Sequence, residues 1–383
     1  HDRSQGHSRR RAMTIRRILM ATAAPVVAVV FSVAISSVVL MIAGTSPLDA
    51  WQEMLSYGTR LETLVQTANR ATPLYLAGIA VAIGFRMNLF NIGVEGQYVL
   101  AALLAASVGA AVDLPAVLHV TLIMVVAMTV GSLFAGVAGY LKVTRNVHEV
   151  ISTIMLNAVA LAAVGYLLRT WLLDEADTSL NIKTPEIPPS GRFPNLNGVV
   201  ETVTREIGRG RELWGFLLVA VVVGVLFHLF LTRTRVGYDL RVTGLNPFAA
   251  EASGVDPKAT VLRTMLLSGA VAGLIGLPEV LGDSYKYDLA FTRGLGFTGI
   301  AVALVGRNHP AGVAVGALLF GWLDSAAPIL DVVGDTPREI VSILQGVVVL
   351  SAVVSYEVVN RIRRSQEARD AAAATHQTQA VGT

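Results

Sequence analysis

The chain has 383 residues, 53% of them hydrophobic and 15% charged, with a formal net charge of +3. Soluble domains carry about 25% charged residues. A mean hydropathy of +0.60 therefore excludes an ordinary soluble globule and points to lipid, where each helical crossing takes roughly 20 apolar residues. There is no cysteine, which excludes disulfides and thiolate metal sites.

The N-terminal stretch RSQGHSRRRAMTIRR is strongly basic. It reads as a cytoplasmic flank of the first span rather than a nucleic-acid arm, with Met13 as a candidate natural start. The apolar run 18–44 is too long for a signal peptide and has no clear small-residue cleavage site. Further runs predict spans near 18–43, 73–92, 94–112, 115–140, 149–170, 214–232, 261–282, 295–307, 311–330 and 340–360. They are continuous, unlike the short alternating segments of a membrane barrel. The expected fold is an all-α polytopic membrane protein of about ten transmembrane helices.

Charge asymmetry orients it. Arg9, Arg10, Arg11, Arg16 and Arg17 precede the first span. Lys142 and Arg145, then Arg233, Arg235 and Arg241, then Arg307, then Arg361, Arg363 and Arg364 each fall an even number of crossings later. Both termini are expected in the cytoplasm. The organisation is then a basic arm at 1–17, a transmembrane domain at 18–364 and a disordered tail at 365–383. Residues 45–72 lie outside, with an amphipathic helix around 51–65. The Pro-rich segment 171–213 also lies outside, and the loop 233–260 lies inside.

If spans two to five recur as spans seven to ten, the odd offset makes two inverted repeats. Such repeats place a solute path at their interface, near discontinuous helices. Two stretches fit: FNIGVEGQ at 90–97 and GLGFTGIAVALVGRN at 294–308. The span at 295–307 is short, about 20 Å against a ~30 Å core. In the first stretch, Asn88, Asn91, Glu95 and Gln97 make a polar knot between Gly93 and Gly96. Glu95 is costly in a membrane unless paired or wet. Holding the break together is favoured over lining a pore. Asn157 serves a helix-to-helix hydrogen bond or pore lining equally well. Tyr285, Tyr287 and Phe291 read as an interfacial aromatic belt. Gly269 with Gly273, and Gly312 with Gly316, have the spacing for close helix approach. His119, His148, His228 and His309 show no metal-ligand spacing, and no phosphate loop occurs.

The loop 233–260 carries a doubled signal. Asn246 then Pro247, and Asp256 then Pro257, are each an N-cap followed by a favoured first helical residue. Gly254 suits the left-handed end between them. A short helix at 247–253 follows, in a loop longer than a connection needs.

The blocks FNIGVEGQYVLAALLAA, VHEVISTIMLNAVA, GLNPFAAEASGVD and GFTGIAVALVGRNHPAG, in this order, resemble the permease subunits of bacterial ABC importers of the simple-sugar and nucleoside type. The likeness covers most of 70–350 and is nearest the nucleoside branch that works with a BmpA-like lipoprotein. It implies a two-permease pore, two cytoplasmic ATPases that bind ATP and Mg, and an extracytoplasmic substrate-binding lipoprotein. This chain itself would carry no cofactor or metal and no catalytic residue. The resemblance makes Gly244, Asn246, Pro247, Phe248, Ala249, Ala250 and Gly254 the ATPase-coupling segment, and it favours a second, different permease as partner. The solute-path candidates are Asn91, Asn157, Phe297 and Thr298, and the location is the bacterial plasma membrane. The alternative is a secondary transporter or channel acting alone, for which Glu95 is the intramembrane candidate for an ion site. Nucleic acid is not an expected partner.

Overall fold

The computed structural model describes residues 30–174, 181–198, 201, 212–334 and, with gaps, 340–361. The basic arm at 1–17, the start of the first expected span and the tail at 365–383 lie outside the described residues. The chain divides into two compact units, Ser56–Ala326 and a smaller one formed by His1–Leu55 with Ala327–Thr383.

In the smaller unit, α1 (Val30–Ile42) is followed at a 115° bend by α2 (Pro47–Gly58). Gly44 makes the turn at φ 83°, a conformation that costs glycine nothing. Trp51 Nε1 donates to Ser37 Oγ at 3.1 Å and ties the two arms together. The same unit holds α14 (Pro328–Gly334) and α15 (Ser342–Ala352).

The larger unit begins with α3 (Leu61–Phe85), α4 (Val94–Ala111), α5 (Ala116–Arg145) and α6 (Glu149–Thr170). After the segment expected outside come α7 (Phe216–Arg233), α8 (Arg235–Leu245), α9 (Pro247–Ala252) and α10 (Pro257–Gly273). It closes with α11 (Leu277–Gly282), α12 (Leu295–Val305) and α13 (Pro310–Ala326). The helix expected around 51–65 is two pieces, because α2 stops at Gly58 and α3 starts at Leu61. The span expected at 73–92 therefore starts and ends early, which leaves 86–93 irregular.

Six described helices are long and apolar enough to cross a membrane, or seven if α1 and α2 count as one crossing. Among the described residues there is no strand, only isolated bridges at Lys183↔Asp288 and Asn195↔Trp214. The helices α4, α10 and α11 are mostly buried. By contrast α5, α6 and α7 keep most of their surface, with Leu133, Ile154 and Leu226 exposed, as lipid-facing helices do.

Small residues set the packing. A Cβ on Gly273 would lie 2.0 Å from the Ala127 carbonyl oxygen, and one on Gly131 would lie 2.3 Å from that of Gly269. So α5 and α10 cross in backbone contact, as Gly269 and Gly273 led one to expect. Gly312 seats α13 against the end of α12 in the same way, 2.3 Å from the Gly306 oxygen.

Candidate functional site

The irregular stretch 86–93 begins where α3 unwinds. Leu89 N donates to Gly84 O at 3.0 Å around Asn88, which sits at φ 57°. Asparagine tolerates this left-handed geometry better than most residues. Asn88 is exposed and closes the helix end, so it stands apart from the polar knot in which the sequence had placed it.

Past the turn, side chains take up backbone groups that a break leaves free. Asn91 and Gln97 exchange reciprocal amide bonds of 2.9 and 3.0 Å. Asn91 Nδ2 also donates to Ser268 Oγ at 2.9 Å, and its Oδ1 accepts from Gly93 N at 3.2 Å. All four of its hydrogen-bonding positions are used. Ser268 in turn donates to Ala80 O at 2.7 Å, stitching α10 to α3. Asn157, from α6, donates to Ile92 O and accepts from Gly96 N, both at 2.9 Å. Asn91 and Asn157 are buried inside the subunit. Of the four solute-path candidates only Phe297 is exposed, while Thr298 is half-buried with its hydroxyl on Gly294 O at 3.1 Å.

Glu95 crosses to the second half. Its Oε1 accepts from Gly294 N at 2.7 Å and lies 3.1 Å from the Tyr98 hydroxyl, and its Oε2 accepts from Gly296 N at 3.0 Å. The carboxylate, 3% exposed as a residue, thus caps α12 from the first turn of α4. The N-terminus of α12 points at it and carries partial positive charge. It makes no ion pair among the described residues. Preorganised N–H donors and this helix end make up for desolvation that would otherwise be severe. The approach needs glycine: a Cβ on Gly296 would lie 2.5 Å from Glu95 N. Gly294 itself sits at φ 89°.

Of the aromatic residues expected to form a belt, two are internal and Tyr285 is half-buried. Tyr287 and Phe291 are buried, with ring centroids 4.5 Å apart, and Tyr98 lies 6.2 Å from Phe291. The stretch at 184–193 covers them, through Thr184 N to Tyr287 O and Ile187 N to Tyr285 O, both 2.8 Å. The Tyr285 ring lies 4.2 Å under the Arg192 guanidinium. Burial raises the Tyr287 phenol well above its usual range, so it stays neutral.

In the loop between α7 and α10, both expected caps form. Asn246 Oδ1 accepts from Phe248 N at 3.0 Å and Ala249 N at 3.2 Å, and Asp256 Oδ1 accepts from Lys258 N at 2.9 Å. Gly254 ends the short helix at φ 81°. Leu245 is 87% and Phe248 83% exposed, whereas Ala250 is fully buried within the subunit. Ala250 therefore anchors α9 from beneath, and Phe248 is the residue it presents. Gly244 seats on the end of α3: a Cβ there would lie 2.6 Å from Arg86 O and 2.8 Å from Met87 Cα. Burial, with Arg241 and Arg307 nearby, lowers the Arg86 pKa. Its Nε donates to Asn308 O at 3.0 Å. The residues that sequence reasoning missed, Arg86, Met87, Ser268, Gly294 and Gly296, all act through pairings between distant parts of the chain.

Two helices that start at breaks and meet at a buried carboxylate, inside a bundle of helices long and apolar enough to cross a membrane, make this a polytopic helical protein of membrane type. Residues 63–353 match the branched-chain amino acid transport system permease component family, and the chain belongs to it. It is similar to the guanosine ABC transporter permease protein NupP of Bacillus subtilis, 33% identical over 87% of this chain and 93% of that one. It is similar to the glucose ABC transporter permease protein TsgB13 of Haloferax volcanii, 33% identical over 88% of each chain. To the nucleoside ABC transporter permease protein NupB of Lactococcus lactis it is 28% identical, over 87% of this chain and 90% of that one.

Proposed function

We propose that this chain is the membrane subunit of an ATP-driven importer of nucleosides or related simple sugars, working by alternating access. The observation that carries the mechanism is the Glu95 cap, which makes the starts of α4 and α12 one joint. Since α12 has 11 residues, it is about 16 Å long, half a ~30 Å core. With its Arg307 end at the cytoplasmic surface, its capped start lies near mid-membrane. Inverted repeats meeting there, in a domain of ten spans at 18–364, fit this arrangement.

The coupling route is short. A push on Phe248 and Leu245 reaches Gly244, then the Arg86–Met87 backbone it rests on, then the knot and Glu95. A cytoplasmic ATPase holding ATP and Mg supplies the push, and an extracytoplasmic lipoprotein supplies the solute. Phe297 and Thr298 face the path, while Asn91 and Asn157 brace it. The relatives support the substrate class. They also support a pore of two different permeases, since the chain resembles both NupP and NupQ of Bacillus subtilis. Both termini are cytoplasmic and 171–213 is outside. A cysteine at exposed Pro185 should therefore react with an impermeant thiol reagent in intact cells. Labelling only after lysis would overturn the orientation.

The test of function is guanosine and glucose uptake in cells expressing the chain with its co-encoded subunits. Depleting ATP while keeping the proton gradient should abolish uptake. Uptake that instead collapses with a protonophore while ATP is held would establish the secondary-transporter reading.

A further inference from the structure

We propose that the cleft between α8 and α10 is a binding site for a phosphate group, occupied by the headgroup of an anionic membrane lipid. The cleft holds about 700 Å³ and is lined by Arg233, Arg235, Arg241 and Arg263, with Asp239 and Asp256 as its carboxylates. Asp256 caps α10, so it is turned to backbone N–H groups. Arg233, Arg235 and Arg263 make no ion pair or hydrogen bond among the described residues, and all three are exposed. Arg241 uses its Nε on Gly237 O at 3.3 Å, which leaves its two terminal nitrogens. Several guanidinium groups lining one cleft with their forks free suit the planar, multidentate demands of a phosphate.

Position favours lipid over a soluble anion or an acidic protein segment. The cleft lies where α7 ends and α10 begins, and both α7 and the α10–α11 stretch 257–282 are apolar enough to span. Arg263 is six residues into α10, about 9 Å along its axis, which is headgroup depth rather than aqueous loop. Above Arg233 on the same face of α7, at helical spacing, Leu226 and Leu229 are exposed and continue the cleft as a track for an acyl chain. Basic pockets between membrane helices on the cytoplasmic side suit such headgroups. Which leaflet supplies the lipid rests on the orientation proposed above; the binding itself does not.

The purified full chain in neutral detergent would be titrated with phosphatidylglycerol, phosphatidylcholine or inorganic phosphate, with bound lipid read by native mass spectrometry. Phosphatidylglycerol should bind best. The Arg233→Gln/Arg263→Gln variant should lose about fivefold in affinity per arginine, so roughly 25-fold. Equal binding of both lipids, or unchanged phosphatidylglycerol binding in the variant, overturns the proposal. Inorganic phosphate displacing the lipid at equal concentration would make the site one for a soluble anion and overturn the lipid assignment. Unchanged lipid binding together with loss of ATPase co-purification would make the cleft a protein contact, which also overturns it. If the double variant misfolds, Arg235→Gln, on an exposed side chain, carries the same test at fivefold.

Discussion

The two breaks in the larger unit are built differently. The first, at 86–97, brings its own partners. Asn91 and Gln97 satisfy each other, and Asn157 and Ser268 reach in from neighbouring helices. The second, at 283–296, has no such set at the start of α12, and two of the backbone N–H groups there depend on one carboxylate from the first break. Dependence is mutual but unequal. If the two move apart, α12 loses its cap and Glu95 loses its two N–H donors, whereas Asn91, Gln97 and Asn157 keep their own bonds in the first break. A joint of that kind can pass motion from α3 and α4 to α12 without unravelling its source.

Overpacking the joint should have the largest effect. In Gly296→Val the new Cβ meets backbone, not a side chain that can swing aside. Overpacking costs about 3 kcal/mol, and separating the two helix starts removes the cap as well. Little monodisperse protein should survive detergent extraction in a size-exclusion assay, and normal recovery would mean the two breaks are not in contact. Glu95→Ala should come next. It leaves two N–H groups without an acceptor, at about 2–3 kcal/mol, while the Tyr98 hydroxyl keeps the Thr292 carbonyl oxygen at 3.0 Å. The melting temperature in detergent should fall, with hydrogen exchange rising at 294–298 and little changed at 91–97. Equal rises at both stretches would refute the unequal dependence. Glu95→Gln, which keeps one acceptor oxygen, should recover part of the loss.

How much of this was legible depends on how far apart the partners are. The start of α4 and both ends of α6 were readable, and so were the caps at Asn246 and Asp256, because a cap and the N–H groups it satisfies are two or three residues apart. Asn88 was misplaced because an asparagine beside a break looks alike whether it bonds the knot or turns left-handed. The role of Asn91 and Asn157 as braces was not decidable, since Ser268 and Ile92 are chosen by the fold and not by spacing. Glu95 was recognised as costly, but its acceptor role for Gly294 and Gly296 spans about 200 residues. Tyr287 and Phe291 have belt composition and an internal address, and only the cover provided by 184–187 tells the two apart.

Asn157→Ala should sharpen the comparison on the self-sufficient side. It strips the acceptor from Gly96 N and the donor from Ile92 O, yet Asn91, Gln97 and Ser268 remain. A loss of about 1–2 kcal/mol is expected, smaller than for Glu95→Ala. A larger loss than Glu95→Ala would show that the first break leans on α6 more than α12 leans on Glu95.

Phe248→Ala should affect stability least and separates the joint from what drives it. Phe248 is 83% exposed, so truncation should leave the stability of the isolated subunit unchanged within about 0.5 kcal/mol. Exposed aromatic side chains that insert into a partner pocket are strong anchors, so ATPase co-purification and solute-stimulated ATP hydrolysis should both drop. Ala250→Glu is the necessary contrast. Its side chain is buried under α9 within the subunit, so an unpaired charge there should lower the melting temperature before any partner is added. If both variants reduce hydrolysis but only Ala250→Glu reduces stability, the surface presented by α9 is what the ATPase grips. If Phe248→Ala leaves co-purification and hydrolysis intact, the drive enters the joint elsewhere, and the Gly244 contact with Met87 has no part in transmitting it.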